Sequence, residues 1–198
     1  MSLLLLAGRL SRSGHTPELF PYSALTERHE RIVSRLVSRL RSLDSQGAEV
    51  GLVGHSFGGL LLREALAEVP NLRVKHFVML ATPNRQPRLA VRVYSRLPFR
   101  LLRGGCGQCL ADSSWFRALP VPLVPYTAVA GTRGWRGRLS PFDLEFNDGV
   151  VAVSETKVKD NDQPILVRSL HTFIMNKRSV HRLIVERLGG AAHAGAIG

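Results

Sequence analysis

The chain has 198 residues, 44% of them hydrophobic and 21% charged, with a mean hydropathy of +0.02. That is one globular domain burying about 70% of its unfolded surface, which excludes both intrinsic disorder and, with only two cysteines, a disulfide-stapled miniprotein. The 27 Lys and Arg against 15 Asp and Glu give a net charge of +12, but the cations are scattered from Arg9 to Arg187 without a block, so nucleic acid is not the expected partner.

Residues 3–7 form the longest early apolar run, far short of the roughly 20 residues of a bilayer span. Arg9 follows this run, where a secretory leader would have its positive charge first, so the reading is cytoplasmic. Residues 4–12 have helix-forming composition, with Gly14 placed as a left-handed cap, and a strand is expected over 18–22. From 24 to 43, Ile32, Val33, Leu36, Val37, Leu40 and Leu43 recur at helical spacing. Arg28, Arg31, Arg35 and Arg39 line another face, read as solvated, with Glu27 pairing Arg31.

A short apolar strand over 49–53 runs into Gly54-His55-Ser56-Phe57-Gly58-Gly59, and a helix over 60–69 is stopped by Pro70. Further strands are predicted over 74–81, 122–130 and 164–170, and a closing helix over 180–188. Residues 85–120 break every long period with Pro98-Phe99, Gly104-Gly105 and Trp115-Phe116, and read as a cap-like excursion. Residues 1–188 thus form one domain, and the Gly- and Ala-rich residues 189–198 a flexible tail. Apolar strands separated by helices predict a mostly parallel sheet in a three-layer α/β/α sandwich.

Gly54-x-Ser56-x-Gly58 matches a nucleophile elbow, in which a serine on a strained strand-to-helix turn stands clear of its own backbone. At this composition chance supplies such a pentapeptide in roughly one chain in eight, so the strand before it and the helix after it carry the argument. The helix opening at Phe57 aims its free N–H groups at the place where an acyl oxygen becomes negative, and the Phe57 N–H is the expected oxyanion donor. A serine needs a base, and the base a carboxylate to orient it. His171 follows the last predicted strand at its C-terminal end, whereas His76 lies within a strand and His181 reads as an exposed residue of the last helix. Asp148 sits in the turn Asn147-Asp148-Gly149, with Asp143 as the alternative. Asp160 and Asp162 belong to a polar loop. The expected triad is Ser56, His171 and Asp148.

Gly54-His55-Ser56-Phe57-Gly58-Gly59, Ala81-Thr82-Pro83-Asn84, Asn147-Asp148-Gly149-Val150-Val151 with Glu155-Thr156, and His171-Thr172-Phe173, in that order, resemble the bacterial α/β-hydrolase fold esterases and lipases of the small, lid-poor branch. The resemblance runs from about residue 3 to residue 188. It implies hydrolysis of carboxylic esters or related small acyl substrates through an acyl-enzyme, with no metal and no organic cofactor. One departure stands out. The family opens with a strand ending in His-Gly, whose loop gives a second oxyanion N–H, but here the likeness begins at the following helix. The alternative, a strand over 3–6 with its loop over 8–14, fits the 14–17 exit less well. On the helix reading the chain is N-terminally truncated, lacking one strand and half the oxyanion hole, with weak activity and poor solubility expected. The competing reading is a weakened hydrolase fold kept as a basic binding module for anionic partners; an acyltransferase using the same triad is a third. Cys106-Gly107-Gln108-Cys109 has no second pair for zinc and no strand–helix setting for a redox dithiol, and reads as two loop thiols.

Overall fold

Strong helical periodicity becomes helix where nothing competes for the backbone. In the computed structural model, which describes residues 2–24, 26–96 and 106–189, α1 spans Ser2–Arg12 and α2 His29–Ser45. The helix alternative for the N-terminal residues is therefore the one adopted, and Gly14 follows with φ +84°. The predicted helix start at 24 is corrected to 29. Arg28 is extended (φ −72°, ψ 139°), and the Glu27 carboxylate is occupied by the Ser23 N–H at 2.8 Å and by the guanidinium of Arg35. Arg35, and not Arg31, is thus the partner of Glu27, while Arg39 holds Glu18 through two bonds of 2.7 and 2.6 Å. Residues 18–22 join no ladder, so no strand forms there.

Four parallel strands follow, β1 (Glu49–His55), β2 (Arg73–Leu80), β3 (Tyr126–Gly131) and β4 (Ile165–Val167), in the spatial order β1-β2-β3-β4. They are joined across α3 (Phe57–Ala67), then α4 (Arg88–Arg96), α5 (Cys106–Ala111) and α6 (Ser113–Ala118), and the chain closes on α7 (Arg178–Leu188). β3 begins later than predicted because Pro122 and Pro125 have no N–H to give to a ladder.

Side chains alternate across a strand, and β2 shows what that does. Phe77 and Met79 enter one core with Ile32, Leu36 and Leu40 of α2 and Leu60 and Leu61 of α3. Val78 and Leu80 enter the other with Leu6 and Leu10 of α1 and Val180, Ile184 and Leu188 of α7. Burial on both faces is what a parallel sheet between two helical layers requires, and the result is the α/β/α sandwich. His181, predicted exposed, is buried. Its Nε2–H donates to the Met175 carbonyl at 2.6 Å and its Nδ1 accepts from Arg9, which pins α1 to the far end of the chain.

The cysteine pair lies on the short helix α5 and not in a loop; both thiols are free, Cys106 buried and Cys109 half-buried. Burial pushes both thiols up, Cys109 to about 12. Of the least legible stretch, Pro98-Phe99 and Gly104-Gly105 lie outside the described residues, as does the predicted tail from 190 onward. No helix among the described residues is long and apolar enough to cross a membrane.

Candidate active site

Ser56 sits between the end of β1 and the start of α3 with φ 52° and ψ −128°, a conformation that costs a non-glycine residue energy and persists only where its surroundings enforce it. They do so here by close packing. A Cβ at residue 54 would lie 2.5 Å from the Gly59 Cα, and one at residue 59 would lie 2.1 Å from the Thr82 Oγ1. Gly58, by contrast, has only the Tyr22 hydroxyl at 3.4 Å. The tight contact thus falls on Gly54 and Gly59, the second of which is outside the pentapeptide. The Ser56 N–H is fixed by the Leu80 carbonyl at 2.9 Å.

Parallel strands deliver their C-terminal ends to one edge of the sheet. His171 opens a 3-10 turn (His171–Asn176) just beyond β4, and Asp148 lies in the long connection after β3. The structure brings all three predicted residues together: Ser56 Oγ is 2.9 Å from His171 Nε2, and His171 Nδ1 is 2.8 Å from Asp148 Oδ2. The Asp148 side chain is fully buried, and its other oxygen accepts the N–H groups of Val150 and Val151 at 2.9 and 2.7 Å. The Asp148 carbonyl takes the His171 N–H at 3.0 Å, so acid and imidazole are registered by backbone as well as side chain. An ionised carboxylate only accepts, so Nδ1 carries the proton and Nε2 of the neutral ring is left to accept from the serine hydroxyl. The alternative acid, Asp143, is exposed with φ 51° and makes no contact with His171.

Several supporting residues, some of them inside the quoted motifs, were given no role by the sequence. Buried Glu155 accepts the N–H of Ala152 and both the N–H and Nε–H of Arg88, holding the acid loop from below. Buried Asn147 ties the same loop to the carbonyls of Trp135 and Glu145. Arg63 of α3, buried and in no ion pair among the described residues, donates to the carbonyls of Asn84, Leu119 and Pro120; burial lowers its pKa to about 10, which leaves it charged. Beside the Ser56 turn, Trp115 of α6 stacks on Phe57 at 6.0 Å and donates to Glu64, which also bonds His29.

His55 is the closest of these neighbours. Its ring lies 5.0 Å from that of His171 and its Nε2–H donates to the His171 carbonyl at 3.1 Å. Burial, and then the neighbouring His171, push its pKa down to about 4. A histidine held neutral in the fold but free to charge when unfolded stabilises the protein above its unfolded pKa, and that stability is lost as pH falls toward the folded value. Between about pH 6.5 and 4 this amounts to about 3 kcal/mol. His76 and His181, both shifted down chiefly by burial, act in the same direction. Urea unfolding across that window is expected to show stability falling with acid, and His55→Asn to flatten much of the slope.

A strained serine at the C-terminal edge of a parallel sheet, facing a histidine and a buried aspartate, defines the α/β-hydrolase class of architecture. A family model of the alpha/beta hydrolase family matches residues 5–195, and the chain belongs to that family. It is similar to the mature form of the lipase BlEst2 from Bacillus licheniformis, with a TM-score of 0.61 and 19% identity over 83% of this chain and 75% of that one. It is also similar to phospholipase PlaB from Legionella pneumophila, with a TM-score of 0.55 and 18% identity over 79% of this chain and 42% of that one. At such identities these likenesses speak to the fold alone. No curated protein matches the chain.

Proposed function

We propose that the chain is a serine hydrolase that cleaves carboxylic esters through an acyl-enzyme. The observation that carries this is the continuous hydrogen-bonded line from Ser56 through His171 to fully buried Asp148. In the proposed reaction the Ser56 oxygen attacks the acyl carbon while its proton passes to His171 Nε2. The negative oxygen of the tetrahedral intermediate takes a hydrogen bond from the Phe57 N–H at the positive end of α3. His171 returns the proton to the departing alkoxide, and the ester bond breaks. Water then repeats the cycle on the acyl-enzyme, regenerating Ser56 and releasing the acid. Asp148 holds the imidazole tautomer and faces the imidazolium as it forms.

The substrate class proposed is a small-molecule ester with an apolar acyl chain. Two features support it: a lipase and a phospholipase stand among the similar structures, and Trp115 of α6 is stacked beside Phe57. On this reading α6, the described part of the excursion beside Phe57, lines the acyl pocket. None of the proposed steps calls for a cofactor. A fluorophosphonate probe tests the proposal: the wild-type chain is expected to become covalently labelled and Ser56→Ala to stay unlabelled. Unlabelled wild type, or a labelled Ser56→Ala variant, would overturn it.

A further inference from the structure

The loop that carries Asp148 presents an outward surface that the proposed reaction does not use. Trp135 is 61% exposed, Leu139 84% and Leu144 78%, with Phe146 and Phe173 also exposed. Interleaved with them are exposed Arg133, Arg136, Arg138 and Arg168, none in an ion pair among the described residues. The negative side of the balance is thin. Asp143 is exposed, but Glu145 is engaged by Arg88 and the Ser154 N–H, and Asp148 is buried.

This exposure belongs to ordered backbone. Arg133 N–H donates to the Ser169 carbonyl at 3.1 Å, Gly134 N–H to Asn147 at 2.7 Å and Gly137 N–H to Asp143 at 2.8 Å. The Arg136 guanidinium lies 4.1 Å from the centre of the Phe146 ring. Residues 132–150 and 168–173 are thereby laced into one surface past the ends of β3 and β4, at the sheet edge on which Ser56 is displayed. Isolated apolar side chains on a surface need no explanation, but aromatic and leucyl groups set among unpaired arginines do.

We propose that this face docks on an anionic lipid bilayer. Its side chains match both layers of a membrane interface: tryptophan and phenylalanine settle at headgroup depth, leucines reach the acyl boundary, and arginines meet the lipid phosphates. Charge complementarity favours a bilayer with negative lipids over a neutral one. Docking would turn the Ser56 edge toward the lipid and shorten the path of an ester substrate out of it; that last consequence rests on the proposed hydrolase reading, but the docking itself does not.

The Ser56→Ala chain is the protein to test, since its binding is independent of turnover. It is expected to co-sediment with phosphatidylcholine vesicles containing phosphatidylglycerol, weakly or not at all with phosphatidylcholine alone, and to release as salt rises. Emission from Trp135 should shift to the blue on binding, and Trp135→Phe should remove the shift. The pair Arg136→Gln and Arg138→Gln should weaken partitioning by about 30-fold, at about 1 kcal/mol per arginine near an anionic surface. A matched pair at the N-terminal end of α2, Arg28→Gln just before the helix with Arg31→Gln in its first turn, should leave it nearly unchanged. Far-ultraviolet circular dichroism of the Arg136/Arg138 variant checks that its fold is intact, and fluorophosphonate labelling of the same pair in an otherwise wild-type chain reports separately on the hydrolase reading. No partitioning into the anionic vesicles, no shift from Trp135, or equal losses from the two arginine pairs would overturn the proposal; equal losses would mean that the diffuse +12 charge binds without a face.

Discussion

Alanine at Ser56, alanine at His171 and both together are expected to lower kcat by about the same factor, on the order of a millionfold where such residues work as a unit. The reason lies in the geometry. Among the described residues Ser56 Oγ has one proton acceptor within reach, His171 Nε2 at 2.9 Å, and without it the hydroxyl is a poor nucleophile. Without the serine, the histidine has nothing to deprotonate but water. Once either is gone the other has no further contribution to lose, so the double variant should fall no lower than the singles. Additive losses in kcat, measured on a soluble ester, would mean that the two groups act separately and that the short Oγ–Nε2 contact is incidental. The residual rate reports what the Phe57 N–H and substrate binding supply by themselves.

Much of this site was legible in the sequence because its chemistry is spaced by local rules. The Ser56 turn is announced by a strand, a glycine that cannot carry a Cβ and a helix start. Asp148 and His171, the proposed acid and base, stand where strands hand over to loops. Periodicity likewise located α2 and α7, and the near-continuous apolar run of 74–81 located the strand buried on both faces. What was not legible depends on partners remote in the chain. Glu27 chooses Arg35 over Arg31 because Pro21 and Ser23 bring the preceding segment over the helix, and no i,i+4 rule anticipates that. His181 is buried because Arg9, 172 residues away, reaches its ring. Residues 18–22 have strand composition, but a strand exists only where a neighbour takes its hydrogen bonds, and among the described residues none does. His55 lies inside the motif itself, yet its bond to the His171 carbonyl is fixed by the approach of β1 to the turn after β4, which a linear reading cannot see.

Asp148→Asn is expected to lower kcat by about ten-thousandfold with the fold retained. The carboxylate has two distinct duties here. One oxygen accepts the Val150 and Val151 N–H groups, and the other accepts the His171 Nδ1–H. An asparagine has one accepting atom and must choose. Turning its amide nitrogen toward the two backbone donors would set N–H against N–H in a buried loop, so its oxygen stays with Val150 and Val151 and its NH2 faces Nδ1. The imidazole then answers by carrying its proton on Nε2, which points a donor at Ser56 and leaves the serine without a base. The loop keeps its backbone bonds, so thermal unfolding should move by no more than a few degrees while the rates of turnover and of fluorophosphonate labelling fall together. Asp148→Ala is the less informative variant because it also strands two buried N–H groups. Should Asp148→Asn keep near wild-type turnover, the tautomer would be set by another group and Asp148 would be a structural brace of the loop.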